Sequence, residues 1–366
     1  MNENYVTLGQ VCDKGSSNIA QKDLAEREGQ YPIYGAAGLI KNVDFAHQKQ
    51  PYIAVVKDGA GIGRVMKLPA YSSVIGTMQY IFPKENVDID YLFYALQHMN
   101  LGKYFSGSTI PHIYFRDYQK ERLKLPVMEV QQRQADTLSR IDALSAYGQR
   151  QIALMDEIVK SRFVEIFGDP ISHLDRGETK QLDRIAERIT VGFVGEASND
   201  YVEAGVPYLR TQNVRVNHID LEGLIYVNES FHKKNSKSII RPGDIVISRV
   251  GANRGMAAVI PESLPEANIA NCLIVGRTNL IDSCYLAFYL NMSYGKRPQF
   301  GASVGSAQGV VNTSVLKKWE IYVPEKKEQK EFVEYVNQVD KSKLAVKQSL
   351  EKLEALKKSL MQQYFG

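Results

Sequence analysis

The sequence of 366 residues has little cysteine and no long apolar run. Its three cysteines, Cys12, Cys272 and Cys284, form no Cys-x-x-Cys pair and no zinc-type cluster. This composition excludes a secreted disulfide scaffold and predicts a protein of the reducing cytoplasm. No stretch reaches about 18 consecutive apolar residues, so we expect no membrane-spanning helix. The first ten residues lack a basic stretch followed by an apolar one, so we expect no signal peptide.

The chain also lacks an excess of either charge. It has 45 Lys and Arg residues against 41 Asp and Glu residues, for a formal net charge of +4. This balance excludes a polybasic protein that binds any polyanion through its overall field. Hydrophobic residues make up 44% of the sequence, which is typical of folded cores and not of a disordered chain. A nucleic-acid function would therefore have to depend on local surfaces.

Motifs for nucleotide, metal or transfer chemistry are absent as well. The sequence contains no Gly-x-x-x-x-Gly-Lys-Ser/Thr phosphate loop, no His-Glu-x-x-His and no Asp/Asn-Pro-Pro-aromatic tetrapeptide. The glycines of residues 58–64 have the spacing Gly-x-Gly-x-Gly, and residues 64–67 have the pattern of a second strand, so we predict a hairpin turn there rather than a dinucleotide loop. The sequence therefore predicts a chain that is not an enzyme, with no catalytic, cofactor-binding or metal-binding residue of its own.

What the sequence does contain is an internal repeat. An offset of 198 residues takes Phe167-Gly168 to Phe365-Gly366, Gln131 to Gln329 and Pro126 to Pro324. About 60 residues of each half align in this way without a gap, and Tyr91-Leu92 matches Tyr285-Leu286 at an offset of 194. The chain is therefore two diverged copies of one plan.

Each copy ends in a long helical pattern that begins just after a proline. Positions spaced alternately by three and four residues place apolar side chains on one stripe of each helix, which is typical of a coiled-coil seam. The apolar seam residues are Leu138, Ile141, Ile152, Met155, Val159 and Ile166 in the first copy, and Val336, Val339, Val346, Leu350, Leu353 and Leu360 in the second. The shared register predicts that the two helices pair with each other; the alternative is that each packs only on its own domain.

Short β-type runs, broken by Gly and Asn, precede each long helix together with a short helical stretch. We therefore expect an α+β fold with two domains of mixed short strands and helices, each followed by its long helix. The expected ranges are 1–124 for the first domain, 125–168 for the first long helix, 169–180 for a linker, 181–323 for the second domain and 324–366 for the second long helix.

This organisation resembles the specificity subunit of a type I restriction–modification system over the full length of the chain. The similar motifs are residues 31–38 (YPIYGAAG), 205–214 (GVPYLRTQNV) and 241–246 (RPGDIV), with a Gly-Ser stretch before each long helix. The resemblance implies two target-recognition domains that each read one half of a bipartite DNA site. It also implies that the long helices pair antiparallel, with pseudo-twofold symmetry, and set a fixed spacer between the half-sites.

The resemblance further implies partners that supply the chemistry. Two methyltransferase subunits would methylate adenine N6 with S-adenosylmethionine, and two motor–nuclease (restriction) subunits would use ATP and Mg to cleave unmodified double-stranded DNA. This chain would hold none of these cofactors itself. The alternative function is a coiled-coil adaptor that holds two protein clients and no DNA.

Polar residues flanked by glycine occupy matching places in the two copies, and they are the candidates for base contacts. The stretch 57–64 matches 249–254, with Gly59 on Gly251 and Gly63 on Gly255. Arg suits guanine, and Asn or Gln suits adenine; a solvated loop is the alternative at each position. The candidates are Tyr34, Lys57, Arg64, Ser108, Thr109 and His112 in the first domain, and Arg210, Gln212, Asn213, Arg249, Asn253, Arg254, Ser306 and Gln308 in the second.

Overall fold

The computed structural model of the chain describes residues 5–107, 111–170, 177–293 and 311–366. The chain forms two compact units, the first made of residues 1–151 and 345–366 and the second of residues 152–344. Both units combine short strands with helices, which confirms the expected α+β fold. The two long helices, Met128–Phe167 and Lys326–Phe365, each contribute residues to both units.

The first unit consists of short elements before its long-helix segments. Its strands are β1 Tyr5–Thr7, β2 Cys12–Ser16, β3 Tyr31–Gly35, β4 Gly38–Val43, β5 Tyr52–Val56, β6 Val65–Leu68, β7 Ser73–Val74, β8 Met78–Pro83 and β9 Arg122–Lys124. Its short α-helices are Leu8–Val11, Ile89–His98 and Phe115–Tyr118, and its 3₁₀ turns are Gln21–Leu24 and Leu101–Tyr104.

The second unit has a similar set of elements. Its strands are β10 Thr179–Gln181, β11 Ile189–Val191, β12 Tyr201–Val202, β13 Val206–Leu209, β14 Val214–Arg215, β15 His218–Ile219, β16 Ile225–Val227, β17 Ile239–Ile240, β18 Ile245–Ser248, β19 Ala257–Val259, β20 Ala267–Ile269, β21 Cys272–Val275 and β22 Glu320–Tyr322. Its short α-helices are Leu182–Ile185, Glu229–Lys234, Ser283–Ser293 and Thr313–Lys317, and its 3₁₀ turns are Ser198–Asp200, Thr211–Asn213 and Ser236–Ser238.

Sheet topology shows the repeat directly. The first unit has an antiparallel sheet in the order β2-β8-β5-β6, and the second has the equivalent sheet β11-β21-β18-β19. A second sheet in each unit contains one parallel pair, β3 with β7 and β13 with β20. The strand pairs β1-β9 and β10-β22 also correspond. The described part of the second unit adds a small β14-β15 hairpin.

One inner strand of each four-stranded antiparallel sheet, β5 in the first unit and β18 in the second, has side chains buried on both faces. Along β5, Ile53 and Val55 belong to the core that contains helix Ile89–His98, whereas Ala54 and Val56 belong to the core that contains the β4-β3-β7 sheet. The isoleucine and valine side chains among them stabilise a fold by roughly 1.5–3 kcal/mol each when fully buried. Strand β18 alternates in the same way between two cores. This burial explains why the strand reads as a continuous apolar run.

A buried glutamine attaches the start of each long helix to its unit. The amide nitrogen of Gln131 donates to the carbonyl oxygens of Asn86 and Pro126, and its oxygen accepts from the N–H of Asp88 at 2.9 Å. Asp88 in turn caps helix Ile89–His98 by accepting from two backbone N–H groups. The glutamine therefore joins two helix N-termini through one side chain.

Gln329 makes the same three contacts in the second unit. Its amide nitrogen donates to the carbonyl oxygens of Leu280 and Pro324, and its oxygen accepts from the N–H of Asp282 at 2.8 Å. Both glutamines are almost fully buried. The repeat therefore preserves a polar contact in atomic detail as well as the order of the strands.

The long helices run antiparallel within each unit. In the first unit Lys357 donates to Asp142 at 2.5 Å, and in the second Lys343 donates to Asp156 at 2.7 Å. In the first unit Gly148 also lies against Leu350, and in the second Arg162 bonds Glu331. In each unit the residue numbers therefore fall along one helix as they rise along the other, which defines the antiparallel direction. All of the predicted seam residues are buried or half-buried. At Gly148 the helices approach so closely that a Cβ atom would lie 2.8 Å from Leu350 Cδ2.

Each long helix ends against a tyrosine of a short helix. Phe365 packs on Tyr91 in the first unit, with ring centroids 5.1 Å apart, and Phe167 packs on Tyr285 in the second at 4.7 Å. Both phenylalanines are buried and belong to the main core of their unit. The repeated Phe-Gly pairs of the sequence are therefore core anchors.

Replacing Gln131 with leucine should destabilise the first unit by about 1–3 kcal/mol, because it leaves the half-buried N–H of Asp88 and two carbonyl oxygens without their amide partner. Gln132 is exposed, so Gln132→Leu is the matched control and should change the stability by less than about 0.5 kcal/mol. Chemical denaturation followed by circular dichroism measures both. Equal effects of the two substitutions would contradict a structural role for the buried amide.

Candidate functional site

Three loop segments meet in the first unit, and we call them together the first loop edge. They are residues 34–38 at the end of β3 and in the turn after it, the hairpin 57–64 between β5 and β6, and the described residues 105–107 and 111–114. The N–H of Ile113 donates to the carbonyl of Lys57 at 2.9 Å, and the N–H of Gly59 donates to the carbonyl of Pro111 at 3.0 Å. The hairpin and residues 111–113 are therefore bonded through their backbones.

Side chains complete the first loop edge. Arg64 donates to the carbonyl of Ala36 at 2.8 Å, which ties the hairpin to the turn after β3. The ring of His112 bonds the carboxylate of Asp58 through Nδ1 at 2.7 Å. The structure therefore brings Lys57, Arg64 and His112 together.

The candidates in the first loop edge differ in what they offer to a ligand. Tyr34 is half-buried and packs against the core of the β4-β3-β7 sheet. Lys57 is half-buried, with its ammonium 3.8 Å from Asp58, whereas Arg64 is exposed. Ser108 and Thr109 lie outside the described residues.

Residues 57–64 form a hairpin turn, as predicted from their glycine spacing. Strands β5 and β6 pair antiparallel on either side of them. Gly63 has φ +80°, and a Cβ atom there would lie 2.3 Å from the backbone nitrogen of Gly102. Only glycine fits such a left-handed, crowded position. The glycines are therefore explained by the turn and its packing.

The first loop edge also contains a stacked group that sequence reasoning missed. The ring of His112 stacks on Tyr114, with centroids 6.4 Å apart, and the guanidinium of Arg116 lies 4.8 Å from the Tyr114 ring centroid. Tyr114 and Arg116 are exposed. Aromatic faces and guanidinium groups are both suited to nucleic acid. The sequence signal for this group was the placement of His112, Tyr114 and Arg116 at every second position.

The second unit has an equivalent second loop edge, made of the turn 209–214 after β13, the hairpin 249–255 between β18 and β19, and Asn271. The N–H of Arg249 donates to the carbonyl of Asn271 at 3.3 Å, and its Nε donates to the carbonyl of Val311 at 3.2 Å. Asn253 donates from its amide nitrogen to the carbonyls of Thr211 and Val214 at 3.2 and 3.0 Å. The hairpin and the turn are therefore bonded together.

Two predicted base readers of the second unit have their amides occupied by the fold. Asn213 is buried; its oxygen accepts from the N–H of Arg210 and its nitrogen donates to the carbonyl of Asp220, both at 2.9 Å. The Asn253 amide nitrogen is used in the contacts just described. Both residues therefore make hydrogen bonds that hold the segments of the second loop edge together.

The remaining candidates are better placed for a ligand. Gln212 and Arg254 are exposed at the second loop edge, and Arg249 is half-buried. Arg210 is half-buried, and its guanidinium donates weakly to the carbonyl of Gly223 at 3.4 Å. Ser306 and Gln308 lie outside the described residues.

A groove of about 480 Å³ opens at the second loop edge. The groove is polar with an aromatic wall, and its lining includes Glu196, Ser198, Tyr201, Tyr208, Arg210, Gln212 and Asn271. Burial raises the pKa of Tyr208 to about 12, so its phenol stays neutral and can donate at neutral pH. Sequence reasoning missed five of these seven residues, because the segments that hold them meet only in the folded sheet.

The described ranges give no indication of metal binding or of a reactive thiol. Within them, no group of three or more His, Cys, Asp or Glu side chains is arranged to hold a metal ion. Burial raises the pKa of the Cys12 and Cys284 thiols to about 12. Such thiols remain protonated and are poor nucleophiles. Among the helices that the structure describes, none is both long and apolar enough to cross a membrane.

Exchanging the amide of Asn253 for a carboxylate should destabilise the second loop edge. Asn253→Asp places an oxygen against two carbonyl oxygens and removes two hydrogen bonds, so we expect a loss of about 1–3 kcal/mol in the free energy of unfolding. Gln212→Glu makes the same chemical change at an exposed position, and it should cost less than about 0.5 kcal/mol. Urea denaturation distinguishes the two; a silent Asn253→Asp would contradict the tie between hairpin and turn.

Comparison with known proteins places this geometry in context. A family model described as the type I restriction modification DNA specificity domain matches residues 2–154 and again residues 178–356. The type I restriction enzyme MjaVIII specificity subunit of Methanocaldococcus jannaschii is 24% identical over 327 residues, which cover 84% of this chain and 77% of that protein. The EcoprrI specificity subunit of Escherichia coli is 26% identical over 38% of this chain and 36% of its own length.

Solved structures show the same fold over the whole chain. The S subunit of a type I restriction-modification system from M. genitalium superposes with a TM-score of 0.61 at 17% identity, covering 100% of this chain and 97% of that one. A chain from a study of complex assembly and conformational transition of the type I R-M system gives a TM-score of 0.53 at 16% identity, covering 99% and 97%. At such identities the likeness concerns the fold.

Proposed function

The chain belongs to the type I restriction modification DNA specificity family, and on this premise we propose that it is the DNA sequence-recognition subunit of a type I restriction–modification complex. The observation that supports this most is the double match of the family model to a chain whose two units carry equivalent loop edges. A non-catalytic subunit needs no active site of its own. The two-client adaptor receives no support from the relatives.

The two loop edges are proposed to read the two halves of a bipartite site. Each edge is held by strands and helices of its unit, which fixes the side chains that meet the bases. The first edge offers a histidine, an exposed tyrosine and two arginines, and the second offers a groove with amides and a guanidinium. These groups differ, so the half-sites would differ in sequence. We assign recognition to residues 1–124 and 181–323, and the linker role to 169–180.

The paired long helices are proposed to set the spacer between the half-sites and to receive the partner subunits. Two methyltransferase subunits with S-adenosylmethionine would methylate adenine N6. Two motor–nuclease subunits with ATP and Mg would cleave unmodified DNA. Ion pairs between the long helices, such as Lys357 with Asp142, specify the antiparallel direction on which this assembly depends.

Deleting this chain should abolish one methylation pattern. In cells that contain the chain and its methyltransferase partner, a base-resolution map of N6-methyladenine should show a split, asymmetric motif with a fixed gap. The same cells without this chain should lose that motif and keep all others, because the methyltransferase then has no sequence reader. Complementation with the chain should restore the motif. An unchanged map in the deletion would contradict the proposed function.

Lengthening the long helices should change the gap and leave the bases that are read unchanged. Seven residues inserted in each helix, after residues 151 and 344, add about 10 Å, on the order of three base pairs. We expect the methylation map to show both original half-sites with a longer gap. The control inserts seven Gly and Ser residues in the linker 169–180, which should leave the gap as it was. Altered half-sites would contradict the spacer role of the helices.

A further inference from the structure

Asn271 adopts a left-handed backbone conformation at the second loop edge, with φ +50°. Such values are uncommon for residues other than glycine, although asparagine tolerates them better than most. The conformation has a clear backbone cause. The N–H of Asn271 donates to the carbonyl of Phe193 at 3.0 Å, and its carbonyl accepts from the N–H of Arg249 at 3.3 Å.

The first unit makes the matching connection with one residue more. There the N–H of Gly76 donates to the carbonyl of Ile19 at 2.7 Å, and the carbonyl of Thr77 accepts from the N–H of Lys57 at 3.0 Å. Lys57 is the residue that matches Arg249 in the repeat. A single residue therefore does in the second unit what two do in the first, and the left-handed conformation makes the shorter connection possible.

The backbone alone does not explain the choice of asparagine. Glycine adopts left-handed angles without steric cost, so it would make the same connection. What asparagine adds is a side-chain amide, and the residue lines the groove. Neither this amide nor that of Gln212 makes a side-chain hydrogen bond within the described parts of the chain. By contrast, the amide of Asn217, another left-handed residue of this unit, accepts from Asn291 at 2.6 Å.

The groove favours a base edge over a phosphate. Arg210 and the two amides provide donors, and Nε of Arg210 is buried without a hydrogen-bond partner among the described residues. The carboxylate of Glu196 lies in the same lining and would repel a phosphate. A base edge that presents both a donor and an acceptor suits this mixed lining. Adenine has that pattern in the major groove, and an asparagine amide meets its N6 and N7 with two hydrogen bonds.

We infer that Asn271 is a specificity-determining residue that reads an adenine in the half-site recognised by the second unit. This inference rests on the proposed function and names a base for one of its sites. The first unit has Gly76 and Thr77 at the matching connection, so no amide is available there. The half-site read by the first unit is therefore an internal control in every experiment on Asn271.

The repeat itself supplies the test variant. Asn271→Gly keeps the left-handed connection and removes only the amide, whereas Asn271→Asp keeps the shape and replaces the donor with an acceptor. The complete chain, assembled with its methyltransferase partner, is assayed on a library of duplexes that varies every position of both half-sites. Methylation rates then give the discrimination at each base pair.

For Asn271→Gly we expect discrimination at one adenine of the second half-site to fall by about 5- to 150-fold, the range that one bidentate pair supplies. Asn271→Asp should lose the same preference and turn toward cytosine, whose N4 group donates. Discrimination in the first half-site should be unchanged in both, which also shows that the variants fold and assemble. An Asn271→Gly variant with unaltered discrimination throughout the second half-site would overturn the inference and leave the proposed function standing. A wild-type chain that directs no methylation would overturn both.

Discussion

The contact on which both loop edges depend is the buried amide at the start of each long helix. Gln131 and Gln329 each bond one N–H and two carbonyl groups that belong to two helix N-termini. A buried amide of this kind has a strict geometry, because each unmet donor or acceptor costs about 1–3 kcal/mol. It therefore fixes the direction in which the long helix leaves its unit, where apolar packing alone would tolerate a range of angles.

A short series of contacts connects this amide to the hairpin of each loop edge. In the first unit Gln131 bonds the N-terminus of helix Ile89–His98, and that helix packs on one face of β5. Lys57 directly follows β5 and is the first residue of the hairpin. The second unit follows the same path from Gln329 through helix Ser283–Ser293 to β18 and Arg249. The helix and the strand of each path share one buried core, which supports the hairpin that follows the strand. Such a support is what base discrimination requires, since the geometry of a bidentate pair tolerates little movement.

The sequence predicted the parts of this structure that follow from periodicity. Repeat offsets gave the two-copy α+β fold, and the spacing of apolar residues located both long helices to within about three residues of their observed ends. The burial of Gln131 and Phe167 was not predictable, because a repeat shows that two positions match without showing what they touch. Side-chain roles at the edges were harder still. Asn213 and Asn253 have the chemistry of base readers, but Asn213 bonds the N–H of Arg210 and the carbonyl of Asp220, and Asn253 bonds carbonyls that only the fold brings near. Asn271 gave no sequence signal, since its backbone angle and its groove exist only after folding.

The two edges share one contact that is made entirely through the backbone, although their side chains differ. In the first unit the N–H of Ile113 donates to the carbonyl of Lys57, and in the second the N–H of Val311 donates to the carbonyl of Arg249 at 3.4 Å. Any residue except proline can donate in this contact, so the contact places few demands on the side chains of the residues that make it. One unit can then offer a histidine stacked on a tyrosine while the other offers amides in a groove. The shared backbone contact is therefore compatible with different side chains, while side-chain ties such as those of Asn253 belong to one unit alone.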